Sequence, residues 1–290
     1  MINHRQWIGA SVLIIAYLIG MLGHLHIAKF FVSPRQSDWL GTFHWADFIP
    51  HLGLATGMAL LAWQSWRARR GQNCGWTLAV WLVWLLMVLA FDRWLIFSIP
   101  SYIHYLFYGA LAYALAWLHD PKRKRFAIGP VVFAITLMGI ADETLQYTWT
   151  TTAYSHYLDF NDFLLNMLAA IGGAWLYYGF AGWHVADIRD HRRNQRAVSA
   201  FFGLGLIAAA GLAAVYWLQA RAGQGHSLWP IERRADSYGH WAWTPYRDQY
   251  FILDPVAGSA LIIGIGLLVS ALPVLLQRLR FGQARQAFSD

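Results

Sequence analysis

Eight apolar runs of roughly membrane-spanning length, each closed by charge, proline or glycine, constrain this chain more than any other feature. They cover residues 7–31, 47–66, 76–97, 102–118, 126–147, 160–183, 198–219 and 255–276. A bilayer core of about 30 Å takes about 20 helical residues to cross. The expectation is therefore an all-α integral membrane protein, a bundle of about eight transmembrane helices. Composition agrees: with 58% hydrophobic and 13% charged residues, the chain has too little charge to cover a water-facing surface. The first run has no small-residue cleavage pattern after its apolar core and reads as a retained helix. A single cysteine, Cys74, excludes an internal disulfide or a cysteine-based zinc site.

Charge placement orients such a bundle. Arg67, Arg69 and Arg70, then Lys122 to Arg125, then Arg189, Arg192, Arg193 and Arg196 fall in alternate connections, which the positive-inside rule makes cytoplasmic. With Arg5, Arg278, Arg280 and Arg285, this side holds 15 of the 22 Lys and Arg residues, and both termini face the cytoplasm. The net charge of +7 thus marks orientation, and no nucleic-acid partner is expected. The opposite side carries 11 of the 15 acids. Orientation does not explain that excess, because Asp and Glu contribute little to it.

The outer ends of the runs collect polar residues at helical spacing. Asp47 and His51 are four apart, as are His104 and Tyr108, so each pair shares a helix face. The fifth run ends with Asp142, Glu143 and Gln146, and the sixth begins with Asp159, Asp162 and Asn166, which lie along one stripe. Ionisable groups inside a membrane boundary cost energy unless they face one another. The spacing predicts a pocket open to the exterior and lined by carboxylates and imidazoles. A competing role exists for most members: Asp47 and Asp159 also suit helix N-caps, and His24, His26 and His156 suit hydrogen-bonded boundary positions. Glu143, Gln146, Asp162 and Asn166 lie deeper and are the strongest candidates, with Glu143 and Asp162 as candidate catalytic acid and base. His51, His104, Glu143 and Asp162 would also form a ligand set for a divalent metal such as Zn, Fe or Mn, although no diagnostic metal-site spacing is present. Trp63, Trp66, Trp94, Trp117, Trp175 and Trp183 fall near run ends, where interfacial aromatic belts are expected.

Glu143 to Gln146, then Asp159 to Asn166, then Gly172 and Gly173, resemble the C-terminal signature of the VanZ-like membrane proteins: Glu-x-x-Gln, a short outer loop, then Asp-x-x-Asp-x-x-x-Asn opening a glycine-containing helix. That family also carries Asp-Lys-x-x-His opening an earlier helix. Two segments match it in part. Asp47 to His51 keeps Asp and His but has Phe48 for Lys, whereas His104 with Tyr108 keeps His and an aromatic but has Pro100 for Asp. Ser155-His156 stands where the family often has Gly-Arg. The resemblance covers residues 1–180 and implies a VanZ-like core over residues 1–183. Residues 184–290 then add a helix pair joined by a long aromatic-rich outer loop, 221–254. It further implies the bacterial inner membrane and, for some members, an association with resistance to glycopeptide antibiotics such as teicoplanin.

The expected function is binding of a polar or cationic envelope ligand, a lipid headgroup or lipid-linked cell-wall intermediate, in the outward pocket, with metal-assisted chemistry as one form of it. The alternative is a scaffold subunit of a larger membrane complex whose polar residues pair internally. The loop's Trp229, Tyr238, Trp241, Trp243, Tyr246, Tyr250 and Phe251 would then supply interface anchors. Transport ranks below both, because the inner half has no matching series of intramembrane acids.

Overall fold

The fold is taken from a computed structural model that describes residues 4–38, 41–68, 74–96, 101–123, 126–150, 157–179, 191–222, 239–244 and 247–286. Each apolar run coincides with an α-helix: α1 (His4–Val32), α2 (Ile49–Ala68), α3 (Cys74–Trp94), α4 (Tyr102–His119), α5 (Ile128–Leu145), α6 (Phe160–Gly179), α7 (His191–Ala222) and α8 (Pro255–Gln286). A 3-10 turn over Trp45–Phe48 leads into α2, and a π-helical turn over Gln146–Thr150 continues α5. Two antiparallel hairpins complete the described elements, β1 (Arg35–Ser37) with β2 (Gly41–Phe43), and β3 (His240–Thr244) with β4 (Arg247–Ile252). The second occupies part of the segment expected to be a long outer loop.

The expectation of about eight transmembrane helices is corrected. Among the described residues only two helical stretches, Ile128–Trp149 and Pro255–Leu272, are long and apolar enough to cross a bilayer. The apolar stretches Ile8–Gly23 and Gln195–Gly211 fall short of that length. α4 and α6 reach 18 and 20 residues, but they spend positions on His104, Asn161, Asp162, Asn166 and several tyrosines, which add little to transfer into hydrocarbon. Run length alone overcounts spans when aromatic and polar residues interrupt the apolar stretch. The two qualifying stretches support membrane association. So do the outward faces of α1 and α3, where Ile15, Ile19, Leu22, Val83 and Leu86 are each more than half exposed, an apolar exterior that water-facing domains rarely present.

α6 is the centre of the molecule. All but four of its residues are buried, from Asn161 to Tyr178, the mark of a helix surrounded on every side rather than one with a single covered face. α4 packs most extensively against it, followed by α5 and α8, with α3 adding a smaller contact. Gly173 sets the approach of α4. A Cβ there would collide with the Gly109 carbonyl oxygen and stand 2.8 Å from its carbon. Gly139 does the same for α5, where a Cβ would stand 2.8 Å from Asn166 Cβ. These close crossings bring the polar ends of α4, α5 and α6 within reach of one another. At the other end of α6, Tyr177 donates to the Asp120 carbonyl (2.8 Å) and Tyr178 accepts from the Ala127 N–H (3.0 Å), which ties down the connection between α4 and α5.

Trp63, Trp66, Trp94 and Trp117 lie exposed near helix ends, in keeping with a boundary belt. Trp175 does not belong to it: it is fully buried in the core against Phe126. Trp183 lies outside the described residues.

Candidate functional site

The site forms where α4 begins, α5 ends and α6 begins. His104, one turn into α4, is buried between the other two helices. Its Nδ1 stands 2.7 Å from Asn166 Oδ1. An amide oxygen only accepts, so Nδ1 carries the proton and donates, and the lone pair of the neutral ring resides on Nε2. Nε2 faces Asp162 Oδ2 at 3.9 Å, and Nδ1 lies 3.8 Å from Glu143 Oε1. By distance these are ion pairs, but burial favours the neutral imidazole, lowering its pKa against the opposing influence of the Asn166 bond and of Asp142 and Asp159. One atom from each of His104, Glu143 and Asp162 can be chosen so that all three lie within 4.8 Å of one another.

A second layer of polar groups surrounds this trio. Tyr108 stacks on the His104 ring, with centroids 6.1 Å apart, and donates its hydroxyl to Asp142 Oδ2 at 2.5 Å. Gln146 donates to Glu143 Oε1 over 3.4 Å, a long bond. The π-helical turn that starts at Gln146 shifts the end of α5 by a fraction of a turn, a distortion frequent at functional sites. Asp159 accepts from the N–H groups of Asn161 (2.9 Å) and Asp162 (3.3 Å), so it caps α6. Its pKa is nonetheless raised, chiefly by burial and then by Asp162. Burial and Asp142 push the Asp162 carboxyl up to about 7. Asp142, Glu143, Asp159 and Asp162 thus crowd one region, and among the described residues no lysine or arginine pairs with any of them. Asp142 Oδ1 and Asp162 Oδ1 are buried without a hydrogen-bond partner.

The structure therefore assembles His104, Tyr108, Glu143, Gln146, Asp159, Asp162 and Asn166 from the sequence candidates. Asp47 falls in the 3-10 turn and His51 in the first turn of α2, and the side chains of both lie outside the described residues, as do that of His24 and the whole of His156. His26 is exposed. Of the segments 47–51 and 104–108, the described side chains place His104 and Tyr108 at the site.

Asn161 was not singled out from the sequence, yet it organises the packing beside the site. It is fully buried. Its amide donates to the carbonyls of Leu95 (2.9 Å) and Phe251 (2.8 Å) and accepts from the Leu253 N–H (3.0 Å), which joins α6 to the end of α3 and to the strand β4. The same strand places the Tyr250 hydroxyl 3.5 Å from that of Tyr157, and burial together with Asp159 raises the pKa of both phenols. Asp142 was also underrated, because residues adjacent in a helix point about 100° apart and its neighbour Glu143 took the inward position. Only a partner on α4, Tyr108, turns Asp142 into the site.

Comparison of the chain with protein-family models, curated proteins and solved structures gave no match. The functional reading rests on the site itself.

Proposed function

We propose that this is a membrane-associated, VanZ-like protein whose buried acidic pocket binds a polar or cationic group of an envelope ligand, such as a lipid headgroup or a lipid-linked cell-wall intermediate. The observation that carries this reading is the convergence of His104, Glu143 and Asp162, beside Asp142 and Asp159, where among the described residues no lysine or arginine pairs with them. Buried carboxylates without counter-charges are costly, and a bound cation relieves that cost.

Position relative to the two span-length stretches supports the same reading. Glu143 and Gln146 lie at the C-terminal end of the first, and Asn161 contacts Leu253 just before the second begins at Pro255. The pocket therefore sits at one boundary. The opposite ends carry Lys122 and Arg123 before the first stretch and Arg278 and Arg280 beyond the second. With basic ends inside, the pocket faces outward from a bacterial inner membrane.

The scaffold alternative requires the polar groups to satisfy one another. Tyr108 with Asp142 and His104 with Asn166 do so, and Trp241 is nearly half exposed on the hairpin as an anchor would be. The unpartnered oxygens of Asp142 and Asp162 favour the binding pocket instead.

Native mass spectrometry on protein reconstituted with phosphatidylethanolamine, whose headgroup presents an ammonium, tests the proposal. The wild type should retain that lipid, and Asp162→Asn and Glu143→Gln should lose it with their abundance and folding intact. Equal retention by wild type and variants would refute a pocket for such headgroups.

A further inference from the structure

Resting on the same pocket, we infer that His104 Nε2, Glu143 and Asp162 are ligands of a divalent transition-metal ion, with Asn166 holding the imidazole in the ligating tautomer. Three independent features of the geometry carry this. First, the Nδ1–H bond to Asn166 at 2.7 Å leaves Nε2 as the basic nitrogen and aims it at Asp162 Oδ2. A histidine whose other nitrogen donates to a fixed oxygen is the usual form of a metal-bound imidazole.

Second, the separations suit a shared ion better than a direct bond. A hydrogen bond between imidazole and carboxylate would close to about 2.7–2.9 Å, whereas Nε2 and Oδ2 stand 3.9 Å apart. Two ligands with bonds of about 2.0–2.2 Å at a tetrahedral angle stand roughly 3.3–3.6 Å apart. Contraction by a few tenths of an ångström brings Nε2 and Oδ2 onto one ion, whereas Glu143, which approaches the ring at 3.8 Å from Nδ1, must swing toward Nε2 from within the 4.8 Å spread of the three ligand atoms.

Third, Asp142 is 3% exposed and its Oδ1, like Asp162 Oδ1, has no hydrogen-bond partner among the described residues, buried acceptor capacity that a nearby cation would satisfy. The donor set also selects among metals. A neutral imidazole and two carboxylates balance a double positive charge and suit Zn, Fe or Mn, while Mg and Ca prefer an all-oxygen shell. Three protein ligands leave a position for water or for an oxygen of the envelope ligand, as in open rather than closed metal sites.

The test uses the full chain in nanodiscs, stripped with chelator and titrated with Zn2+ and Mn2+ alone, with metal per chain measured by elemental analysis. One ion per chain is expected, retained in millimolar Mg2+. His104→Ala, Glu143→Gln and Asp162→Asn should each weaken it by at least a hundredfold, and Asn166→Ala by about ten- to a hundredfold. X-ray absorption at the zinc edge of the loaded wild type needs no variant and should show one imidazole with oxygen ligands. Absence of stoichiometric uptake by the folded wild type, an absorption spectrum without imidazole, or uptake undiminished in all three ligand variants would each overturn the assignment. Failure here with lipid retention intact would leave the headgroup pocket standing, because the two assays read different ligands.

Discussion

Replacing Asn161 by alanine should release the second hairpin from the start of α6. The side chain makes three hydrogen bonds of 2.8 to 3.0 Å, all to backbone groups, and it is fully buried. Alanine leaves two carbonyls and one N–H without this partner. A buried polar group left unsatisfied costs about 1–3 kcal/mol, so the three together set a loss of about 3–9 kcal/mol for the docked hairpin. Few single substitutions reach that range. Because β3 and β4 are tied to the helices here, the cheapest response is local opening of the hairpin rather than global unfolding. Hydrogen exchange followed by mass spectrometry reads this directly. Amides of residues 247–253 should exchange at least about a hundredfold faster in Asn161→Ala, since each 1.4 kcal/mol is about a factor of ten, while α6 beyond Asn166 keeps its protection. Asn161→Asp should be no better, because it keeps the acceptor for Leu253 but presents a carboxylate to two carbonyls. Unchanged exchange at 247–253, with less than about 1 kcal/mol lost, would refute the role given to Asn161.

Three further outcomes follow from the same geometry. Gly173→Ala gains about 1 kcal/mol of helix propensity but drives its Cβ into the Gly109 backbone; overpacking of about 1–3 kcal/mol or more should lower the thermal midpoint and, by parting α4 from α6, weaken ligand binding as well. Tyr108→Phe removes the one side-chain hydrogen bond that Asp142 makes among the described residues and should cost about 1–3 kcal/mol in thermal unfolding, with little change in helix content by circular dichroism. In metal-free protein, the Asp162 carboxyl titrates near 7 when folded and near 3.8 when unfolded. The folded state then binds the extra proton between those values, so this stability is present below about 4 and lost as pH rises through 7, by about 4 kcal/mol. His104, held neutral by burial, acts in the opposite sense below about 6.5. Asp162→Asn isolates the acid: it should match the wild type near pH 4 and exceed its thermal midpoint at pH 8, and equal midpoints at pH 8 would count against the buried carboxyl.

Helix positions were legible because an apolar run ended by charge or proline has few other ways to fold, as at Tyr102–His119 and Phe160–Gly179. Their number as spans was not, since α4 and α6 earn their burial from protein contacts around His104, Asn161 and Asn166 rather than from uninterrupted hydropathy. The i, i+4 and i+7 spacings put Asp162 and Asn166 on one face and His104 and Tyr108 on another; Asp162 and Asn166 both approach His104, on which Tyr108 stacks. They could not separate Asp159, which caps α6, from the acids that face the trio, because both roles place an Asp at a helix start. The hairpin was hidden for a different reason. Its strands of five and six residues, with an irregular register between Ala242 and Thr244, give too short an alternation to stand out in an aromatic-rich segment. Asn161 likewise carried no signal of its own, since its three partners come from segments 66 to 92 residues away.

Whether His104 is buried against Glu143, Asp162 and Asn166 in solution is read out by nitrogen-15 NMR of histidine-labelled, metal-free protein. The His104 ring, assigned by its loss in His104→Ala, should be a neutral Nδ1–H tautomer at pH 7.5, and Asn166→Ala and Asp162→Asn should each shift its signal while leaving the other histidines in place. A His104 signal averaged between tautomers, protonating near the ordinary value of about 6.5 and indifferent to both substitutions, would contradict that burial.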